Sequence, residues 1–303
     1  MNIRRILCPV DFSDASNHAV EHAVAFARWS GARLTLLHVY PSVGQPPTLP
    51  VPDAAGAHGP SPSELEALGD RVASMVDADA GVIVHASVMP GQPVGAIIEE
   101  AGALAADLVV MGTHGASGFQ HLILGSVTEK VLRKAPCPVL TVPLRPVSTS
   151  TRGFTRVLCA VDFSDCSQKA VALAAEVAKE AGAALTLLHV IEWPWHEPPT
   201  PGLESVPPER ARALMEYRHY LESSALSRLE EVAAATVPGG PAPAIEVRFG
   251  KPYIELLAAV GEQGADLIVI GVRGRGRLDL GFFGSTANQV VRQATCPVLT
   301  VRA

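Results

Sequence analysis

Two glycine-rich stretches carry the residue types and the spacing that could bind a phosphate group. They run from Gly112 to Thr128 and from Gly271 to Ala287, and each reads glycine, two residues, glycine, nine residues and then Gly-Ser. Each follows a short apolar run typical of a buried strand and precedes a helical stretch. Glycine lets the backbone approach an anion closely, and free amides at a helix start point at it. The same spacing twice in one context favours phosphate binding over two ordinary glycine turns.

The chain is an internal duplication. The segment ILCPVDFSDAS at 6–16 returns as VLCAVDFSDCS at 157–167, which is an offset of 151 residues. The segment APCPVLTV at 135–142 returns as ATCPVLTV at 294–301 with an offset of 159, so the second half carries eight more residues. We place these extra residues between the second and third strands of the second half. We expect two domains, residues 1–148 and 149–303, each large enough for its own core.

Apolar strands alternate with alanine-rich helices in the first half. This alternation predicts an α/β fold whose parallel sheet is covered by helices on both faces. Asp11, Ser13 and Asp14 supply the capping chemistry that begins the first helix. In chain order the pattern predicts strand 3–10, helix 14–29, strand 33–39, helix 62–77, strand 82–88, helix 92–104, strand 107–111, helix 125–134 and strand 138–143.

Composition excludes several classes of protein. The net charge of −6 argues against a general nucleic-acid binder, which would show a basic patch or stripe. No apolar run approaches the ~18 residues that span a membrane, and Asp11 ends the first apolar run too early for a signal peptide, so we expect a cytoplasmic protein. The five cysteines read as buried thiols in a reducing compartment. Cys166 reads as a free helix thiol rather than a redox group, because no C-x-x-C pair is present.

Taken together, these residues resemble the universal stress protein family in its tandem two-domain form. The resemblance is carried by Asp-Phe-Ser at 11–13 and 162–164, by Leu-His-Val at 37–39 and 188–190, by both glycine signatures and by Cys-Pro-Val-Leu-Thr-Val at each end. It covers essentially the whole chain, and the nine-residue spacer points to the ATP-binding branch. It implies two tandem doubly wound domains, each a five-stranded parallel sheet in the order 3-2-1-4-5. ATP, with or without Mg²⁺, would sit at the carboxyl ends of the strands.

The resemblance also implies a role for individual residues. Asp11 and Asp162 would line the adenine pocket, and Val39 and Val190 would offer backbone groups to the base. Ribose and phosphates would be held by the remaining positions, which are Gly112, Gly115, Gly125, Ser126, Thr128, Gly271, Gly274, Gly284 and Ser285.

The second copy departs from the first within its loop. Ala287 stands where the first copy has Thr128, and Thr286 stands where it has Val127. The second spacer also holds three arginines, which could clamp phosphate or form a solvated loop: Arg273, Arg275 and Arg277. A different nucleotide, or a different strength of binding, is therefore open for the second site.

Three functions are open on the sequence alone. The first, which we favour, is an ATP-binding regulatory protein whose state is read by a protein partner. The second is a nucleotide-hydrolysing enzyme. We expect at most slow ATP hydrolysis, because Asp279 is the only acid within either spacer and no positioned base accompanies it. The third is a scaffold that has lost its ligand, and two intact glycine signatures argue against it.

Two further expectations concern histidines and assembly. We expect structural roles for His38 and His189, since no zinc-type spacing accompanies either residue. The resemblance implies that the halves pair through their last strands, 138–142 and 297–301, to form an intramolecular pseudo-dimer. Pairing would satisfy the backbone groups that an edge strand leaves open. A homodimer of whole chains is allowed but not required.

Overall fold

The computed structural model describes residues 3–41, 60–113, 124–144, 153–192, 208–236, 241–272 and 283–302. Packing divides the chain between Gly153 and Phe154 into two compact units. Each unit alternates strands and helices, as the sequence pattern predicts.

The first unit contains five strands and four α-helices within its described residues. They are β1 (Arg5–Val10), α1 (Asp14–Ser30), β2 (Arg33–Tyr40), α2 (Pro62–Ala73), a short 3-10 helix (Ala78–Ala80), β3 (Val84–Pro90), α3 (Pro93–Ala103), β4 (Leu108–Gly112), α4 (Ser126–Lys134) and β5 (Val139–Val142).

The second unit repeats this order. Its elements are β6 (Arg156–Ala160), α5 (Asp165–Ala181), β7 (Ala184–Glu192), α6 (Pro208–Thr236), β8 (Ala244–Gly250), α7 (Pro252–Gln263), β9 (Leu267–Gly271), α8 (Ser285–Gln293) and β10 (Val298–Val301). The largest difference in length is that α6 has 29 residues where α2 has 12.

Within each unit the strands are parallel and have the predicted order. The first unit runs β3-β2-β1-β4-β5 and the second runs β8-β7-β6-β9-β10. Successive strands are added on one side of β1 up to β3 and on its other side from β4 onward, so the strand order switches between β1 and β4, and likewise between β6 and β9. The crevice where open α/β sheets bind ligands lies at the carboxyl ends of the strands at such a switch point. The central strands are buried on both faces, and Leu7, Leu36 and Val109 are fully inaccessible to solvent.

The helices begin and end where local chemistry predicts. Ser13 caps α1 by accepting a hydrogen bond from the amide of Ser16 at 3.2 Å. Gly31 ends α1 in the left-handed conformation with φ of 67°, which glycine adopts without strain. Ser164 and Gly182 perform the same two tasks for α5. The same caps therefore recur at equivalent positions, and the first helix of each unit has 17 residues.

One predicted boundary is wrong. The pattern predicted a helix to residue 77, but α2 ends at Ala73. The amides of Met75 and Val76 instead bond to carbonyls three residues back, which tightens the chain into turns. Gly81, with φ of 68°, then turns the chain into β3. The apolar periodicity continued past the point where the chain has to leave the helix.

The five cysteines are free and buried, as expected for thiols that serve as small apolar residues. Burial raises the pKa of Cys137 to about 11, and the nearby Asp107 carboxylate adds to this effect. Burial likewise raises the pKa of Cys296 to about 12. These thiols therefore stay protonated at neutral pH. Separately, none of the helices in the described ranges is long and apolar enough to cross a membrane.

Candidate functional site

A cavity of about 220 Å³ opens at the carboxyl ends of β1, β2 and β4 in the first unit. The parallel order brings these three strand ends to one edge of the sheet, beside the starts of α1, α3 and α4. The described residues in its wall are Pro9, Val10, Asp11, Ser16, Leu37, Val39, Pro93, Ile97, Met111, Gly112, Gly125, Ser126, Val127 and Thr128.

One side of the cavity is apolar. Leu37 and Val39 alternate with His38 along β2, so their side chains share one face of the sheet and the histidine takes the other. Pro93 and Ile97 come from the first turns of α3 and face the same space. An apolar slot of this kind suits a flat ring rather than a charged group.

Another part of the cavity wall is the N-terminus of α4. Gly125 is the N-cap residue, and within the described chain no side chain caps this helix. The amide of Gly125 bonds to the carbonyl of Thr113 at 2.8 Å, and its carbonyl accepts from the amide of Glu129 at 2.9 Å. The next three residues, Ser126, Val127 and Thr128, line the cavity, and their amides have no partner inside the helix. Amides so placed, at the positive end of a helix, attract an anion.

Thr128 has a structural task in this wall. Its hydroxyl donates a hydrogen bond to the carbonyl of Gly112 at 2.9 Å, and the side chain is buried. The bond joins the last residue of β4 to the first turn of α4. Both ends of the glycine loop are therefore fixed to each other directly.

Gly112 is glycine because α1 lies against it. A Cβ atom built there would stand 2.8 Å from the carbonyl oxygen of Ala15 and 2.9 Å from its Cβ. Gly271 meets Cys166 in the same way, with Cβ atoms 2.9 Å apart. The first glycine of each signature therefore lets the first helix approach the fourth strand. A side chain at this position would force the first helix and the fourth strand to shift, whether or not a ligand is bound.

Asp11 borders the cavity from a tight turn. Its Oδ1 accepts hydrogen bonds from the amide of Ser13 at 3.1 Å and from the hydroxyl of Ser13 at 2.5 Å. Asp11 thus connects the end of β1 to the cap of α1. Asp162 repeats both bonds with Ser164, at 3.0 Å and 2.6 Å. These aspartates are part of a capping arrangement, and Asp11 also lies in the cavity wall.

A stack of three side chains lies beside this turn, and it was not predicted as a unit from the sequence. The rings of Phe12 and His38 are 4.6 Å apart, and the guanidinium of Arg71 is 3.8 Å from the centre of the Phe12 ring. His38 also donates from Nδ1 to the carbonyl of Val10 at 2.9 Å. We expected a structural role for His38, and this bond confirms it, because it fastens the imidazole ring to the end of β1.

The second unit builds the same stack from equivalent residues. The rings of Phe163 and His189 are 4.6 Å apart, and the guanidinium of Arg228 is 4.0 Å from the centre of the Phe163 ring. His189 donates from Nδ1 to the carbonyl of Val161 at 2.6 Å. Arg71 and Arg228 are 157 residues apart, an offset that neither sequence motif has. The buried Val72 and Leu229 that follow them confirm that α2 and α6 align this way.

The other predicted residues of the second unit stand at matching positions. Val190 lies on β7 and Gly271 ends β9, while Gly284 caps α8 with the same geometry as Gly125 and Ser285 begins that helix. The amide of Gly284 bonds to the carbonyl of Val272 at 2.8 Å. Several predictions lie outside the described residues, namely those for Gly115, Gly274, Arg273, Arg275 and Arg277.

Sequence reasoning missed much of the cavity wall. Four apolar wall residues were not predicted, because each reads as an ordinary core position: Leu37, Pro93, Ile97 and Met111. Each lies near a strand end that bears a motif. Ser16, in the first turn of α1, was also not predicted as a wall residue, and it is buried. Among the residues that the structure describes, no three His, Cys, Asp or Glu side chains come together as a candidate metal site.

Comparison with known proteins agrees with this architecture. The profile of the universal stress protein family matches residues 2–143 and 153–302. A universal stress protein of Methanocaldococcus jannaschii is 35% identical over 46% of this chain and 81% of its own length. One from Mycobacterium tuberculosis is 26% identical over 98% of this chain and 96% of its own.

Solved structures show the same likeness. The crystal structure of a universal stress protein from Archaeoglobus fulgidus has a TM-score of 0.67 and 25% identity, covering 98% of this chain and 96% of that one. A universal stress protein solved in complex with cAMP matches 47% of this chain and 98% of its own, with 26% identity and a TM-score of 0.36.

Proposed function

Because the chain belongs to the universal stress protein family, we propose that it is an ATP-binding regulatory protein that holds a nucleotide at the carboxyl ends of β1, β2 and β4. One observation carries the proposal. A single cavity is lined both by apolar side chains from β2 and α3 and by the open N-terminus of α4. A purine ring suits the first surface and a chain of phosphates suits the second.

The wall residues divide by chemistry. Asp11 and the backbone of Val39 stand beside the apolar slot and would contact the base. The amides of Ser126, Val127 and Thr128 would receive phosphate oxygens, with the helix dipole adding attraction. Mg²⁺, where present, would bind chiefly to the phosphates, since it keeps several waters and needs few protein ligands.

The second unit repeats the framework of this site. Asp162, Val190, Gly271, Gly284 and Ser285 stand where the first unit has their counterparts. We propose a second nucleotide site there, with a different affinity because Ala287 and Thr286 replace Thr128 and Val127.

A regulatory role fits the chemistry of the wall better than a catalytic one. Phosphoryl transfer requires a positioned base or oriented water and a clamp of positive charge. Asp11 is the only acidic side chain among the described lining residues, and its Oδ1 is already bonded twice to Ser13. Binding that changes what a protein partner reads requires neither group.

The proposal predicts that Val127→Asp weakens ATP binding at the first site by about tenfold or more. Val127 is the second residue of α4 and lines the cavity. A carboxylate there repels phosphate, and a tenfold loss corresponds to about 1.4 kcal/mol. The same carboxylate favours the helix N-terminus, so the fold should be retained. Isothermal titration calorimetry with ATP measures the loss, and Thr286→Asp is the equivalent change for the second site.

Lys130→Gln is the matched control. It changes the net charge by the same amount from an exposed position of α4 that is outside the cavity wall, so it should leave the affinity within about twofold. The proposal is overturned if the parent protein binds no ATP at about 1 mM, the weak end of specific affinity, or if Val127→Asp binds like the parent.

A further inference from the structure

Phe12 and Phe163 have a backbone conformation that phenylalanine rarely adopts. Both have φ of 63°, in the left-handed region, and Ala105 is the only other non-glycine residue of the described chain with positive φ. A bulky side chain is disfavoured there because its Cβ crowds the backbone. Glycine would make the same turn without that cost. The same unfavourable residue occurs twice, each time directly after an aspartate that is predicted to contact the nucleotide.

Burial does not explain the two rings. Both phenylalanines are only half-buried, so neither belongs to the apolar core. Each ring instead contacts a histidine from the second strand and an arginine from the following helix. The histidine is itself fastened to the carbonyl that precedes the aspartate, Val10 in the first unit and Val161 in the second.

This stack lies on the face of the sheet away from the apolar slot. His38 alternates with Leu37 and Val39, which line the cavity. Neither Phe12, His38 nor Arg71 is among the described lining residues. The stack therefore acts on the site through the chain, because Asp11 precedes Phe12 and Ser13 follows it.

We propose that Phe12 and Phe163 are positioning residues for nucleotide binding, an inference that rests on the proposed function. The arginine and the histidine hold the ring, the ring holds the left-handed turn, and the turn aims the aspartate carboxylate at the base. Arg71 on α2 and Arg228 on α6 are the outer parts of this arrangement. In the first unit, α2 thereby sets the geometry of a site to which it contributes no described wall residue.

The aromatic ring is needed to hold this turn, because a residue that merely tolerates positive φ would not keep the turn in one conformation. Phe12→Gly keeps the preferred φ but removes both ring contacts, so the aspartate turn becomes one of several conformations that glycine samples. Preorganised charged hydrogen bonds lose affinity when their geometry is loosened. Because glycine relieves the strain of positive φ, the melting temperature should stay the same or rise. Affinity and stability are expected to change independently.

The test measures ATP binding by calorimetry in full-length protein that carries Thr286→Asp, which weakens the second site. The residual signal of the Val127→Asp/Thr286→Asp double variant is subtracted, so that the remainder reports the first site. Phe12→Gly is expected to weaken binding about tenfold, and Phe12→Tyr, which keeps the aromatic ring, should bind within about twofold of the parent. Arg71→Met should weaken binding about threefold, as expected for an exposed cation–π contact, and Arg71→Lys should restore most of it. Phe163→Gly in a Val127→Asp background repeats the test for the second site.

Arg212→Met is the control, since Arg212 is an exposed arginine on α6 that pairs with Glu216. It should change neither affinity. The inference is overturned if Phe12→Gly binds ATP like the parent. It is also overturned if ATP affinity and melting temperature fall together in Phe12→Gly and are just as low in Phe12→Tyr. Failure of the proposed function is distinguishable, because the protein with Thr286→Asp alone would then bind no ATP.

Discussion

In the first unit a threonine hydroxyl closes the connection between β4 and α4, and in the second unit an alanine stands in its place. Thr128 donates to the carbonyl of Gly112 at 2.9 Å within the buried wall. Ala287 is equally buried but has no hydroxyl with which to make this bond. By contrast, the aspartate turn, the aromatic stack and the glycine cap have nearly the same geometry in both units.

The difference shows which features the duplicated fold requires. Features that set the approach of backbone elements are the same in both copies, since any change would move a strand or helix. The two copies differ in features that only stabilise the contact between elements whose positions are already set. Thr128 and its counterpart Ala287 are the example. The eight extra residues likewise accompany a longer α6 without displacing Arg228 from its stack. The two proposed nucleotide sites are therefore expected to share their shape and to differ in affinity.

The largest expected effect comes from adding a methyl group at the first glycine of either signature. Gly112→Ala places Cβ 2.8 Å from the Ala15 carbonyl oxygen, a backbone atom that cannot turn away. Overpacking of this kind costs about 1–3 kcal/mol, and we expect the upper part of that range. Gly271→Ala should cost a similar amount. Chemical denaturation, with hydrogen exchange to locate the loss in one unit, measures both.

Gly95→Ala is the control for this prediction. Gly95 lies within α3 and has no neighbouring atom within 4 Å of the added Cβ, so alanine should stabilise the helix by up to about 1 kcal/mol. If Gly112→Ala were as stable as Gly95→Ala, the close approach of α1 to β4 would be incorrect.

A smaller effect should distinguish the two units. Thr128→Val keeps the branched shape but removes the hydroxyl, leaving the buried carbonyl of Gly112 without this donor. The expected loss is about 1–2 kcal/mol, confined to the first unit. The reciprocal Ala287→Thr should stabilise the second unit by part of that amount, because the caps of α4 and α8 have matching angles. If neither Thr128→Val nor Ala287→Thr changed the ATP affinity of its own unit, this bond would not set the difference between the two proposed sites.

The smallest effect concerns the outer strand of each unit. Arg248 on β8 pairs with Glu246 and Glu262 at 2.5 Å and 2.7 Å, whereas β3 has Met89 at the equivalent place. Arg248→Met should lower stability by about 0.5–1 kcal/mol, since these charges are partly exposed and partly screened. The loss should shrink in about 1 M salt. A loss that is independent of salt would mean that packing, not charge, holds this edge.

Several elements could be predicted from the sequence because they depend on local chemistry. Ser13 and Gly31 mark the ends of α1, and the apolar runs mark the strand ends of the first half to within two residues. The end of α2 at Ala73 was missed because periodicity cannot show where the chain must turn toward the next strand. Pro93 and Ile97 were missed as wall residues because helix α3 reaches the cavity only after the sheet has formed. The pairing of the two halves through their last strands stays a prediction.

The sequence by itself determined the duplication, the alternation of strands and helices, and the family, because repeats and hydrophobic periods are properties of the chain. It also determined which positions are glycine, but not why. Only the tertiary structure decided that Gly112 makes room for Ala15, and that Arg71 and Arg228 occupy equivalent places despite an offset found in neither motif. The physical reason is that these contacts join elements distant in sequence, and their distances are set by packing rather than by any residue's own preference.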